Sequence, residues 1–338
     1  MQGEFRRVSL FNKKFVSKQI AVTPCADAAR VAAFKEWAAD IKSGKIATHS
    51  EVSLHGPFVQ KILVEALGYS GPIGNASYNV TQEKGITRGS VDVAIGSFEH
   101  GEGQILAPFE LKGADTKNLD AIMSGRAKTP VDQAWEYATN NVGTKWVLVS
   151  NYLEIRLYSY GEGRQVYETF DLSKLHEPAE FARVQLLLSA ESLLTGRTLE
   201  LLDESRRENK DITNRLYEDY KALRSDLIGE VRRERPELDP LLAIRTGQTI
   251  LDRILFIAFA EDTGLLPPRI LESAFETSNA FAPAPVWGNF QGLFTAIDLG
   301  NAPLKVPRYN GGLFAPNDII NALSMPDHIC EGFKRLSE

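Results

Sequence analysis

Apolar residues at helical spacing dominate the first 70 residues of the chain. Residues 28–43 carry an apolar residue at every third or fourth position, which predicts an amphipathic helix. A second apolar stripe runs through residues 51–69, where Ser50 precedes the first helical position and Gly68 follows the stripe as a stop signal. The chain is therefore expected to begin with two helices that each bury one face.

The periodicity changes to alternation after about residue 78. "SVDVAIGSF" has β-branched residues at every second position, and "ILAPFELKG" follows it after the turn sequence "HGEGQ", so the two segments predict a hairpin. In "TPVDQAWEYATNN", Thr129 is a suitable N-cap and Pro130 a suitable first helical residue. "KWVLVSN" and "YLEIRLYSY" then predict two further strands. The result is an α/β module that ends near residue 180.

The second half of the chain has a different character. From "EFARVQLLLSAESLL" to about residue 275 the patterns are almost wholly helical, and "TILDRILFIAFAEDTGLLPP" is strongly apolar. The last segment, residues 280–338, is rich in proline, asparagine and glycine. We therefore predict an α/β domain over residues 1–180 and a mostly α-helical domain over residues 181–338.

Composition adds limits to this picture. The chain has 338 residues with 43% hydrophobic and 24% charged residues, as in ordinary globular proteins, and no apolar run suited to a membrane span. Cys25 and Cys330 are too distant for a disulfide framework or zinc spacing, so we expect a cytoplasmic setting. The net charge of −6 is unlike that of a dedicated nucleic-acid binder, although residues 1–50 carry a local excess of positive charge.

Two opposite charges interrupt an apolar strand in "APFELKG". Glu110 and Lys112 are two positions apart, so they leave the same face of a strand, with Leu111 on the opposite face. Burying both charges is costly unless they pair with each other or bind an ion. The residues alone leave two interpretations open: a cross-strand salt bridge at a sheet edge, or a metal site.

Asp92 in the neighbouring strand favours the metal site. It is a lone carboxylate between two valines, and a hairpin would bring it beside Glu110. Mg²⁺ commonly takes one or two carboxylates and keeps several waters, and it can polarise a phosphate and activate an attacking water. A lysine can orient that water, and Leu111 can add its backbone carbonyl. This set suits phosphodiester hydrolysis.

The order of these motifs resembles the PD-(D/E)XK nuclease superfamily. "SVDVAIG", "FELKG" and "QAWEY" match its Asp, Glu-x-Lys and Gln-x-x-x-Tyr elements. The resemblance implies a restriction-endonuclease-like core, a mixed sheet flanked by helices. It also implies catalytic roles and a first-helix carboxylate, for which Glu51 is our choice and Glu65 the alternative. The implied catalytic set is Asp92, Glu110, Lys112, Gln133, Tyr137 and Glu51, with Asp92, Glu110 and the Leu111 carbonyl as metal ligands.

The second half is similar to the helical connector of type IIG restriction–modification enzymes and single-polypeptide type I enzymes. The phrases "ILDRILFIAFAEDTGLLP" and "RYNGGLFAP" carry that similarity. It implies Mg²⁺, or Mn²⁺ in its place, as cofactor and double-stranded DNA as substrate, with transient dimerisation on DNA. The methyltransferase and target-recognition domains of such enzymes would follow, and S-adenosylmethionine would bind only there. The glycine-rich and Asn-Pro-Pro-aromatic motifs of a methyltransferase are absent from these 338 residues.

Two other functions remain open at this stage. The α/β module is alternatively a catalytically silent structural or DNA-positioning part of a methyltransferase or other defence system. A third interpretation is a nuclease of a different defence system, whose second half contacts a partner protein. The presence of Asp92, Glu110 and Lys112 together favours the nuclease, since a decayed site usually loses one of them.

Overall fold

The computed structural model describes residues 8–23, 27–86, 89–123, 125–278, 285–309 and 311–336. It divides into two compact units, Met1–Asn209 and Lys210–Glu338. Each unit is described by itself. The predicted boundary at residue 180 lies inside the first unit, because residues beyond it pack on the first core. Cys25 lies outside the described residues.

The first unit is built on a six-stranded mixed sheet with the strands in sequence order. All neighbouring strands are antiparallel except the third and fourth, which are parallel. The mixed α/β architecture predicted from the sequence is confirmed. The first and last strands were not among the predicted elements. The strands are β1 Ser77–Ile86, β2 Gly89–Glu99, β3 Glu102–Leu111, β4 Trp146–Ser150, β5 Glu154–Ser159 and β6 Tyr167–Asp171.

Helices cover the sheet, and several begin where the sequence predicts. Asp27 and Ser50 cap their helices by accepting backbone N–H groups. Thr129 and Asp132 form a reciprocal capping box with Pro130 at the first helical position. The helices are α1 Lys13–Val22, α2 Ala28–Lys42, α3 Lys45–Thr48, α4 Glu51–Phe58, which continues as a π-helical segment Val59–Ala66, α5 Pro130–Thr139, α6 Pro178–Leu188, α7 Ala190–Leu194 and α8 Arg197–Glu234.

The alternation along β3 divides its side chains between two cores. Phe109 and Leu111 lie in the larger core, which includes α2, α4 and α6. Glu110 faces the other way, and its parallel partner on β4 is Val149. Val149 packs with residues of α5 in a smaller core. Glu110 therefore lies on the face of the sheet that α5 covers.

Parallel pairing of β3 with β4 requires a long connection between them. This connection contains α5 and the loop that precedes it. The carboxyl end of β3 consequently opens towards this loop, with β2 on one side and β4 on the other. The polar residues of "FELKG" occur at this point of the sheet.

The second unit is helical in its described residues. Its core contains apolar residues from α8 together with those of the helices that follow. Arg253 is buried there and donates to the carbonyl oxygens of Leu313 and Ala315, both at 2.8 Å. None of the described helices combines the length and hydropathy of a membrane span. The later helices are α9 Pro240–Asp262, α10 Ile270–Glu276, α11 Val286–Leu299, α12 Asp318–Asn321 and α13 Asp327–Arg335.

Candidate functional site

The structure brings Asp92 and Glu110 together on adjacent strands. Val93 pairs with Phe109 in the antiparallel register of β2 and β3, so the next position along each strand places Asp92 beside Glu110. Asp92 Oδ2 also accepts the backbone N–H of Leu111 at 2.8 Å. This hydrogen bond fixes the aspartate against the end of β3, where the sequence predicts a metal site.

Glu110 is fully buried, and its two oxygens have different environments. Oε1 pairs with the ammonium of Lys112, while Oε2 has no hydrogen-bond partner among the described residues. Burial raises the pKa of Glu110 to about 7, the charge of Asp92 adds to the increase, and the ammonium of Lys112 opposes it. The carboxyl group is therefore poised to lose a proton near neutral pH.

Lys112 connects the proposed metal ligands to one another. Its ammonium contacts Glu110 Oε1 and lies 3.0 Å from the carbonyl oxygen of Leu111. The backbone N–H of Lys112 donates to Ser150 on β4 at 2.8 Å. The ion pair thus forms between Glu110 of β3 and the residue that directly follows this central strand, rather than across two strands at a sheet edge as the alternative interpretation expected. The Glu110 carboxylate and the Leu111 carbonyl are two of the groups predicted to hold the metal.

Glu51 approaches this site from the first turn of α4. Its Oε2 accepts the backbone N–H of Gly113 at 2.8 Å, and its carbonyl oxygen accepts the hydroxyl of Tyr152 at 3.0 Å. Glu65 instead pairs with Lys61 at 2.7 Å on the surface of the π-helical segment. Of the two acidic residues considered from the sequence, Glu51 is the one that lies at the end of β3.

Gln133 and Tyr137 lie on one face of α5, as their spacing predicts. Gln133 Nε2 donates to the hydroxyl oxygen of Tyr137 at 2.6 Å. Tyr137 packs against residues of β2 and β3, and its pKa is raised by burial first and then by the charge of Glu110. Tyr137 is therefore near enough to Glu110 to sense its charge, and Gln133 is joined to the site through the Tyr137 hydroxyl.

Arg126 is a site residue that the sequence reasoning missed. Its Nη1 donates to Gln133 Oε1 at 2.9 Å. It lies in the loop between β3 and α5, where neither strand nor helix periodicity marks a functional position. The only signal that could have found it is its position a few residues before the Gln-x-x-x-Tyr motif.

A cavity of about 410 Å³ opens beside these residues. Glu51, Lys112, Lys117 and Arg126 contribute to its wall. A larger cavity of about 550 Å³ lies against α1 and α6 and contains none of the predicted site residues. The smaller cavity is the one that adjoins the carboxylates, and chemistry rather than size makes it the candidate site.

A metal ion at this site would have few protein ligands. No group of three or more His, Cys, Asp and Glu side chains is arranged to hold a metal within the described ranges. The predicted set has only two such side chains, Asp92 and Glu110, together with a backbone carbonyl oxygen. Such a small set is typical of Mg²⁺, because this ion retains several waters.

Comparisons with protein-family models, curated proteins and solved structures found no match.

Proposed function

We propose that the first unit is the Mg²⁺-dependent DNA endonuclease domain of a restriction–modification enzyme, with a PD-(D/E)XK core. The observation that carries this proposal is the buried Oε2 of Glu110, which has no partner among the described residues. A buried carboxylate oxygen without a partner is costly in a folded protein. Residues kept in such a state are candidates for binding an ion.

The donor set fits a divalent cation. Asp92 and Glu110 supply carboxylate oxygens, and the Leu111 carbonyl already contacts the positive ammonium of Lys112. Hard oxygen ligands of this kind are those that Mg²⁺ and Mn²⁺ prefer. When bound, the ion would polarise the phosphate and lower the pKa of the attacking water.

The remaining residues have roles that follow from their positions. Lys112 is the only lysine in direct contact with Glu110 among the described residues, and its ammonium is suited to orient a water and to stabilise negative charge on phosphate. The Tyr137 hydroxyl and the Gln133 amide supply hydrogen bonds on the α5 side. Glu51 orders the backbone after β3 through Gly113.

Double-stranded DNA is the proposed substrate, and its sequence would be read by a domain outside these 338 residues. The net charge of −6 supports this division of labour, because nonspecific DNA affinity depends on contacts between basic residues and phosphates. The second unit would act as the helical connector to methyltransferase and target-recognition domains. Transient dimerisation would then provide two sites for cutting both strands.

A catalytically silent domain is the competing function, and one observation favours it. Lys112 and Glu110 already form an ion pair, which gives Oε1 of the carboxylate a partner without a metal. A structural salt bridge would explain that contact. It would not explain why Asp92 and Glu110 lie side by side, with one Glu110 oxygen unpartnered within the ranges that the structure describes.

Supercoiled-plasmid cleavage with Mg²⁺ or Mn²⁺ tests the proposal, with EDTA as the metal-free control. We expect the wild-type chain to nick or linearise the plasmid, and Lys112→Ala and Asp92→Asn to lose that activity. Lys61→Ala is a matched control, since Lys61 pairs with surface carboxylates away from the site. Cleavage that survives in both site variants would exclude these residues as the catalytic set.

A further inference from the structure

Two basic side chains beside the carboxylates lack an acidic partner. Among the described residues, Lys117 and Arg126 form no ion pair, although both are exposed at the cavity next to Lys112. Lys128, in the same loop as Arg126, is in contrast paired with Glu136 at 2.6 Å, and Arg156 is paired with Asp120 at 2.8 Å. Two positive charges without an acidic partner among the described residues therefore line the cavity that Lys112 also lines.

The guanidinium of Arg126 is held by one hydrogen bond and has further N–H donors available. Gln133 accepts one of its N–H groups, and the described residues provide no side-chain acceptor for the others. Arginine presents several donors in a planar fork that matches two oxygens of a phosphate. Because Gln133 also donates to Tyr137, its amide orientation is fixed from both sides.

The loop that carries Lys117 is fastened to the sheet. Asn151, which follows β4, donates to the carbonyl oxygen of Thr116 at 2.9 Å. The N–H of Thr116 in turn donates to Gly113 at 2.9 Å, directly after Lys112. The cavity is thus bounded on this side by a backbone tied to the strands that carry the carboxylates.

We propose that this cavity binds a DNA phosphate adjacent to the scissile phosphate. Arg126 and Lys117 would be the ligands of that adjacent phosphate. The inference rests on the proposed nuclease function, whose substrate it places. Gln133 then acts through Arg126 as a positioning residue. The acidic groups of the site and the basic groups of the cavity have separate tasks, since the former hold the cation and the latter hold the strand.

The test measures binding of a fluorescently labelled DNA duplex by anisotropy, in EDTA so that no cleavage occurs. We expect Arg126→Ala to weaken binding about tenfold at low salt, because charge-assisted hydrogen bonds to phosphate are lost. The slope of log affinity against log salt should fall by about one for each phosphate contact removed. Lys117→Ala should change that slope in the same direction.

Lys128→Ala is the matched control, because this ammonium lies in the same loop but is already paired with Glu136. It should change affinity less than twofold. Gln133→Ala should weaken binding in the wild-type background and have no further effect in Arg126→Ala, since its effect on DNA affinity without metal is exerted through that arginine. Additive effects of these two changes would show that Gln133 does not position Arg126.

Parallel plasmid cleavage by the wild-type chain separates failure of this inference from failure of the proposed function. Wild-type cleavage together with unchanged affinity and salt slope in Arg126→Ala and Lys117→Ala would overturn the phosphate site alone. A wild-type chain that neither binds duplex DNA nor cuts it would overturn both. Reduced affinity in these two variants, with Lys128→Ala unaffected, would support the site.

Discussion

Two buried charged side chains, one in each unit, are treated differently by their surroundings. Arg253 in the second unit donates to two backbone carbonyls and lies over the rings of Phe294 and Phe314, with 5.2 and 5.8 Å to their centroids. Glu110 in the first unit has one oxygen without a partner in the described part of the chain, and a carboxylate neighbour in Asp92. The charge of Arg253 stabilises the fold, whereas the buried charge of Glu110 lowers the stability of the fold.

The comparison illustrates how a structural charge differs from the charge of the proposed metal site. A buried charge that serves stability has its hydrogen-bonding capacity filled by groups that cannot leave. Arg253 meets that description, because its partners are carbonyls of the loop after Val306. Glu110 does not meet it. The difference predicts that the two residues will respond oppositely to substitution.

Glu110→Gln is expected to have the largest effect, on cleavage rather than on folding. Loss of the ligand carboxylate should lower plasmid cleavage about 100-fold or more, as removal of a single electrostatic group in an active site often does. The melting temperature at pH 8 should change little, since the gain from removing a buried negative charge is offset by loss of the ion pair with Lys112. Glu65→Gln is the control, and a comparable loss of cleavage in that variant would weaken the comparison.

Arg253→Met is expected to give the reverse result. It leaves the carbonyls of Leu313 and Ala315 without their donor, which should lower the unfolding free energy of the second unit by about 2–3 kcal/mol. Cleavage at 25 °C by the folded protein should not change. Scanning calorimetry measures the effect, with Arg245→Met on the exposed face of α9 as control. A melting profile of Arg253→Met that matches the wild type would show that Arg253 does not stabilise the second unit.

The free energy of unfolding should depend on pH because of the titration of Glu110. Its pKa is about 7 in the folded chain, against an ordinary value of 4.5. Between these values the folded protein keeps a proton that the unfolded chain releases, so stability falls as pH rises from 4.5 to 7. The slope should be on the order of 1 kcal/mol per pH unit. In urea unfolding, the wild type should lose stability relative to Glu110→Gln as pH rises through this window, because glutamine has no proton to lose.

Stabilisation of the folded state by Mg²⁺ should be the smallest of these effects. It should occur in the wild type and not in Glu110→Gln. At a concentration ten times its dissociation constant, a single bound ion stabilises the folded state by about 1.4 kcal/mol. The effect should grow from pH 6 to pH 8, because the ion binds the ionised form of Glu110. Thermal unfolding with MgCl₂ and with EDTA measures it. Equal stabilisation of Glu110→Gln would show that the ion binds elsewhere.

Some elements could not be predicted from local sequence because they depend on their neighbours. The strand β1 contains Gly85 and several polar residues in "SYNVTQEKGI", and β6 has only five residues, so neither shows a clear alternation. Each lies at an edge of the sheet and is formed by pairing with one neighbour. The structure divides its two units at residue 209 rather than at the predicted residue 180, for a related reason. Phe181 and Val184 of α6 pack on the first core, which a helical pattern alone does not reveal.

The site shows the same division. The pairing of Asp92 with Glu110 followed from strand period and a short turn, and the shared face of Gln133 and Tyr137 followed from helix period. Arg126 could not be found this way. It belongs to a loop, and no periodic rule relates a loop residue to a helical residue seven positions further on. Its contact with Gln133 exists only because the connection between β3 and β4 folds back.

The sequence by itself determined the periods of the main helices and central strands, their caps, and which charges share a face. These depend on residues close together in the chain, so local geometry suffices to predict them. Only the tertiary structure decided which carboxylate keeps one buried oxygen unpartnered, which acidic residue of the first helical region reaches β3, and which basic residues have no ion pair, all as judged over the described residues. Those properties are set by contacts between residues far apart in the chain, and by how much water each contact excludes.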